Sequence, residues 1–237
     1  MPLNLTDQVL NRRVFNDQVN QRLRDTTILK VLPEFLDETK IAIDVGAATG
    51  HITNAIAPHV HSVYGIEAVH PVFRQYCLMQ DRHPNVYPIF GAASETNGIT
   101  SFYVDANRLS NSSINKLVEG PETRVPMLSL DTFFFGHRPE PGFIKVDVEG
   151  TELRVLKGAQ AIIEKHRPVL MIEVYRPYIE VDPLDLFHWI MDRGYRCLYW
   201  DCVQKGLVEV SDPQDGVIAI DTAHDRHDGD FLFIPEG

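Results

Sequence analysis

Ile41-Ala-Ile-Asp-Val-Gly-Ala-Ala-Thr-Gly50 decides how the chain is to be understood: a short β-branched run carrying Asp44, then a turn punctuated by Gly46 and Gly50. Ile41, Ile43 and Val45 alternate as a strand, and Ile52, Ala55 and Ile56 are spaced to line one helix face. The unit is strand, glycine turn, helix, the local plan of a nucleotide-type cofactor site. Gly46 admits backbone angles that other residues resist, and Gly50 lets a ligand or the strand come close to the helix start. A dinucleotide fingerprint would place glycines where this chain has Ala48 and His51. Pyrophosphate needs bare backbone there, so a nucleotide-dependent oxidoreductase is the weaker alternative. Asp44 points the same way, since a carboxylate at the strand end repels phosphate and welcomes an ammonium group. S-adenosylmethionine has an amino group and a sulfonium, and no phosphate.

Ser62-Val-Tyr-Gly-Ile-Glu67 is the next strand, and Glu67 closes it about 20 residues beyond the glycine turn. A carboxylate at that place can accept both ribose hydroxyls of a nucleoside. The expected cofactor wall is therefore Asp44, Gly46, Ala47, Gly50 and Glu67, with Ala92 after the third strand, Val86 to Phe90.

The 237 residues suffice for one compact domain, with no Ser- or Gly-rich linker dividing them. The beginning of the chain shows no apolar signal segment, and no run approaches membrane-spanning length, so a cytoplasmic protein is expected. Cys77, Cys197 and Cys202 show no metal-site spacing and fit reduced thiols. A formal charge of -11 argues against a broad nucleic-acid footprint and favours a small or neutral substrate. Nothing in the sequence specifies an oligomeric state.

Strand and helix signals alternate along the chain, as a doubly wound, mostly parallel sheet requires. Residues 1–40 are expected to form a helical cover over the cofactor or substrate site, with Val19, Leu23, Ile28, Val31 and Leu32 apolar before Pro33, and residues 41–237 the Rossmann-like domain. A helix is expected over 72–81. Between Gly98 and Thr132 the alternation breaks: Ser101 to Asp105 and Thr123 to Met127 resemble antiparallel strands around the polar loop Arg108-Leu-Ser-Asn-Ser-Ser113. Long loops in compact domains are often functional, and Asn111, Ser112 and Ser113 are candidates to hydrogen-bond cofactor or acceptor.

Phe143-Ile-Lys-Val-Asp-Val-Glu-Gly150 is the second informative stretch. Period-two alternation puts Lys145, Asp147 and Glu149 on one side and Ile144, Val146 and Val148 on the other, if the strand runs that far. Charges inside a buried parallel strand are costly, so these should gather at its C-terminal end, where ligands bind in open α/β sheets. A helix over 151–166 should pack Leu153, Leu156, Ala159 and Ile163 inward before Pro168 stops it. Val169-Leu-Met-Ile-Glu173 is the next strand and again ends in a carboxylate. If the two strands are neighbours, Asp147, Glu149 and Glu173 converge on one mouth.

Four segments together, Asp-Val-Gly-Ala from Asp44, Ser129-Leu-Asp131, Ile-Lys-Val-Asp-Val-Glu-Gly-Thr-Glu over 144–152 and Pro-Val-Leu-Met-Ile-Glu over 168–173, resemble the FkbM family of S-adenosylmethionine-dependent methyltransferases. The resemblance covers residues 41–175 in order, with a plausible closing strand over 231–235. It implies a class I Rossmann-like methyltransferase fold and methyl transfer to oxygen, commonly a hydroxyl of a sugar, glycan or polyketide-type product. The chain departs from the family's frequent Asn at Ala48, which removes a side-chain amide from the cofactor turn.

Methyl transfer is an in-line displacement at a sulfonium carbon, so alignment and exclusion of water carry much of the catalysis. An alcohol still needs somewhere to send its proton. Asp147 is the first candidate base, with Glu149 and Glu173 behind it; alternatively, these oxygens hold a divalent cation that lowers the hydroxyl pKa. Lys145 pairs with a neighbouring carboxylate or directs the acceptor. A non-catalytic cofactor-binding module of the same fold is the remaining alternative. His51 and His70 are expected at the surface, His224 to Asp230 in a solvated turn, Asp182 as a helix cap and Trp189 in the core.

Overall fold

The computed structural model describes residues 28–104, 113–114, 121–177, 179–221 and 229–236. Its strands are β1 (Ile41–Val45), β2 (Ser62–Glu67), β3 (Val86–Phe90), β4 (Ala92–Ala93), β5 (Gly98–Tyr103), β6 (Glu122–Leu128), β7 (Pro141–Val146), β8 (Val169–Glu173), β9 (Tyr195–Asp201), β10 (Gly206–Val210) and β11 (Asp230–Pro235). The helices are α1 (His51–Ile56), α2 (His70–Tyr76), α3 (Met79–Arg82), α4 (Leu130–Phe134), α5 (Glu152–Lys157), α6 (Gln160–His166), α7 (Pro183–Met191) and α8 (Pro213–Asp221).

The large sheet has the order β3-β2-β1-β7-β8-β11-β9-β10. Strands β3 through β8 in that order are parallel, and β11 enters antiparallel between β8 and β9. All of β1 is buried, which requires apolar side chains on both faces of a central parallel strand. Ile41, Ile43 and Val45 face one layer, which holds α4 to α8, while Ala42 faces the other, which holds α1 and Met79. Period two puts Asp44 on the α1 face, and Lys145, its register partner on β7, on that face too.

The chain from Ile28 to Phe35 forms two short 3-10 turns rather than a long helix. Ile28, Leu29 and Leu32 pack on the sheet face beside Ala42, Val63 and Phe143. This part of the expected cover therefore shields the core rather than the cofactor site; residues 1–27 lie outside the described residues. The helix expected over 72–81 is broken by a turn at Cys77 and Leu78, after which Met79 turns under Gly50. The helix expected over 151–166 is likewise two pieces. Gly158 lies against the Ser94 carbonyl where a Cβ would collide, and Asp131 restarts the helix by accepting from Ala161 N and Ile162 N, both at 2.9 Å. Ser129 Oγ donates to Gly158 O at 2.9 Å, so the Ser-Leu-Asp motif serves this junction. Leu156, Ala159 and Ile163 are buried and Leu153 half-buried, as the periodicity predicts.

The excursion after β3 forms its own sheet, β4-β6-β5, with β5 and β6 antiparallel as the sequence pattern predicts. Asp182 caps α7, accepting from Leu184 N at 3.0 Å. Trp189 is half-buried under the Arg193 guanidinium, 3.8 Å from its ring centre. The three cysteines are free thiols. No helix among the described residues is long and apolar enough to cross a membrane.

Gly65 in β2 lies directly under the Tyr76 phenol, whose hydroxyl reaches Thr53 Oγ at 2.9 Å. A methyl group at position 65 would displace that ring. Gly65→Ala is expected to cost about 1–3 kcal/mol of unfolding free energy, read as a lower urea midpoint at unchanged m-value.

Candidate active site

A cavity of about 310 Å³ opens at the C-terminal ends of β1, β2, β7 and β8, the edge where parallel α/β sheets bind ligands. Val69, Val72, Ala92, Phe102 and Ile114 supply an apolar wall, and Asp147, Glu149 and Glu173 line the same cavity together with Glu67. Among its described lining residues there is no Lys, Arg or His.

The glycine turn forms one side. Gly46 has φ +71°, and a Cβ there would strike the Asp147 carbonyl, so only glycine lets the turn pass under the β7 loop. Ala48 is also left-handed, at φ +47°, a conformation that costs an L-residue about 1–2 kcal/mol. Asn tolerates that region better than Ala does. Here the turn is held through its backbone: Ala48 N donates to Glu67 Oε2 at 2.9 Å, and Val69 N donates to Glu67 Oε1 at 2.6 Å. Each Glu67 oxygen keeps a second lone pair. Burial raises the Glu67 pKa, and the backbone donors Val69 and Ala48, the Lys145 charge and the backbone donor Ala68 oppose that rise.

Several expected cofactor contacts lie behind this wall. Asp44 is fully buried and does not line the cavity. Its Oδ2 accepts from Thr53 N at 3.1 Å and Thr53 Oγ at 2.6 Å, and Oδ1 lies 3.5 Å from Lys145 Nζ. It braces the turn from beneath, because period two directs it to the α1 face. Ala47 is buried with its N–H on Ile66 O, and Gly50, at φ +87°, abuts Met79 at the start of α1. Gly46 and Ala92 do reach the cavity.

On the other side, β7 ends at Val146, so Asp147, Val148 and Glu149 belong to a loop and the strand alternation stops before them. Lys145 is buried, and its Nζ donates to Gly46 O at 2.8 Å while lying 3.0 Å from Asp147 Oδ2. Burial alone would lower its pKa, but Asp147 and Asp44 outweigh that and raise it. Glu149 sits at φ +58°. Asp147, Glu149 and Glu173 each bring a carboxylate oxygen within 4.8 Å of the others, the donor set of a hard divalent cation. Burial and the Asp147 charge push Glu149 up to about 8 and Glu173 well above the usual carboxylate range.

Ser113 is buried, bridges Tyr103 and donates from Oγ to Val148 O at 3.0 Å, tying the excursion to the acid loop. Its neighbour Ile114, not Ser113, lines the cavity. Asn111 and Ser112 lie outside the described residues, as do residues 224–228 of the segment expected as a solvated turn. His70 is exposed, whereas His51 is half-buried at the start of α1. Sequence reasoning missed Phe102, Ile114 and Thr151, whose approach depends on how the excursion and the β7 loop fold. It also missed Glu152, which accepts from Gly150 N at 2.9 Å and shapes that loop.

Burial raises Glu152 to about 7 from the usual 4.5. Folded protein then binds this proton more tightly than the unfolded chain, so the group's contribution is complete below pH 4.5 and declines as pH rises towards 7. Glu152→Gln keeps an acceptor for Gly150 N and is expected to flatten the decline of the urea midpoint across that window.

The fold and motifs recur in known proteins. Hexuronic acid methyltransferase AglP of Haloferax volcanii is 29% identical over 172 residues, which are 70% of this chain and 69% of that protein. A crystal structure of methyltransferase FkbM from Methylobacillus flagellatus KT superposes with a TM-score of 0.50 at 20% identity, over 84% of this chain. The matched region spans 44% of that longer chain. With β11 antiparallel between β8 and β9 in a mostly parallel sheet, the architecture is the class I methyltransferase fold. The methyltransferase FkbM domain model matches residues 44–197, from the strand-end Asp44 past the acid mouth, and the chain belongs to that family.

Proposed function

We propose that this methyltransferase uses S-adenosylmethionine to methylate a hydroxyl of a sugar, glycan or natural-product-type small molecule. The observation that carries the proposal is the cavity's division into an apolar wall next to Glu67 and a carboxylate mouth, with no cationic side chain among the described lining residues. A phosphate-bearing dinucleotide calls for basic groups or a bare glycine turn; the described lining residues include no basic group, and Ala48 and His51 interrupt the glycine turn. A nucleoside carrying an amino group and a sulfonium matches both the apolar wall and the negative mouth. The likeness to a protein named for hexuronic acid supports a sugar acceptor.

Glu67 is suited to accept the ribose hydroxyls on its remaining lone pairs, since the backbone donors fix both of its oxygens in place. Val69, Val72 and Phe102 shape the slot for the adenine and exclude water. S-adenosylmethionine supplies the electrophilic methyl group, whose bond to sulfur breaks as its bond to the acceptor oxygen forms. The hydroxyl proton passes to the mouth, with Asp147 its first acceptor because Lys145 Nζ, 3.0 Å from Asp147 Oδ2, holds that carboxylate in place. Lys145 holds Asp147 and the Gly46 carbonyl together, which keeps base and cofactor turn in fixed register.

Calorimetry should detect saturable binding of S-adenosylmethionine and S-adenosylhomocysteine, weakened at least about tenfold by Glu67→Ala. In assays with sugar acceptors, Asp147→Asn is expected to lower kcat on the order of a hundredfold or more while cofactor binding persists. Thermal stabilisation by a dinucleotide and not by S-adenosylmethionine would defeat the proposal.

A further inference from the structure

The three carboxylates of the mouth come from two neighbouring strand ends: Asp147 and Glu149 from the loop after β7, Glu173 from the end of β8. Their nearest oxygens lie within 4.8 Å of one another. Among the described ion pairs, the cation that reaches them is Lys145, already divided between Asp147 and Asp44. Asp230 on β11 is the register partner of Glu173 on β8, and its charge is one of the causes that raise the Glu173 pKa.

Thr151 gives a separate observation. It lines the same cavity, is 2% exposed, and its hydroxyl has no hydrogen-bond partner. A buried hydroxyl left unsatisfied is costly, and a water or ligand oxygen held at the mouth would satisfy it.

We infer that the mouth is a site for a hard divalent cation of the magnesium or manganese class, held by one oxygen each of Asp147, Glu149 and Glu173, with Thr151 hydrogen-bonded to a water on the ion. All three side-chain ligands are oxygens, with neither thiolate nor imidazole, which is the donor chemistry of Mg²⁺, Mn²⁺ and Ca²⁺. Lys145 acts from beneath as the group that orients the Asp147 ligand. Each carboxylate keeps a second oxygen, so a hydroxyl bound to the ion can still release its proton to the mouth. The ion would also let an acidic sugar approach carboxylates that otherwise repel it. That catalytic role rests on the methyl-transfer proposal; the binding of the ion does not.

The test uses the full chain and Mn²⁺ alone, with neither cofactor nor acceptor. Calorimetry should give one saturable site, displaced by Mg²⁺, weakened at least about tenfold in Asp147→Asn and in Glu173→Gln and unchanged in Glu164→Gln on the outer face of α6. Paramagnetic broadening by Mn²⁺ in the wild-type protein should centre on the amides of 147–151, which locates the site even where a variant fails to fold. No saturable binding up to about 1 mM, binding indifferent to both variants, or broadening centred elsewhere would overturn the inference. Failure of S-adenosylmethionine to bind in a parallel titration would count against the methyl-transfer proposal and leave the ion result standing.

Discussion

The ammonium group of Lys145 is buried at the junction of three pieces of chain: Asp44 on β1, the Gly46 carbonyl in the glycine turn and Asp147 at the end of β7. A buried charge is tolerated only where partners compensate its lost hydration, and here two carboxylates and a carbonyl do so. The glycine turn and the acid mouth are therefore not independent loops on one scaffold. Removing the ammonium would leave Asp44 buried beside Thr53 with its charge uncompensated, and would release the turn and Asp147 from each other. Substituting Lys145 thus differs in kind from losing a surface ion pair, whose contribution is small.

The same junction explains why strained backbone gathers around the cavity. Ala48 and Glu149 both adopt left-handed conformations, one on each side of the mouth. Such conformations persist only where the surroundings over-determine them. Glu67 does this for Ala48 by taking its N–H, and Glu152 does it for the β7 loop by taking the Gly150 N–H. A side-chain amide at position 48 is not needed to close the turn, because a carboxylate from the next strand takes its N–H. The small sheet β4-β6-β5 completes the enclosure, with Ser113 joined to the Val148 carbonyl and Phe102 on the apolar wall.

Much of this was legible from local pattern. The β-branched run before Gly46, Glu67 one strand later, and the two acid-ended strands 143–150 and 169–173 marked the parallel sheet and its functional edge. Neighbouring positions of β7 and β8 then brought Asp147, Glu149 and Glu173 together. Asp44 lies behind the cavity wall for a definite reason: the pattern reveals that a carboxylate ends the strand, while its face depends on the strand's alternation within a packed sheet. Apolar spacing over 72–81 and 151–166 predicts continuous helices because it carries across a single turn. Their breaks answer to contacts distant in sequence, Met79 under Gly50 and Gly158 against Ser94.

The sequence by itself determined the order of strands and helices, the glycine that the turn after β1 requires, and the acidic character of the strand ends, because these follow from periodicity and backbone conformation over a few residues. Only the tertiary structure decided which carboxylates face the cavity and which are neutralised beneath it. It also set Thr151, Phe102 and Ile114 at the wall, and made Lys145 a tie between β1, the turn and β7. Those outcomes depend on register and on packing across the sheet, where residues about a hundred positions apart must balance each other's charge in a space closed to water.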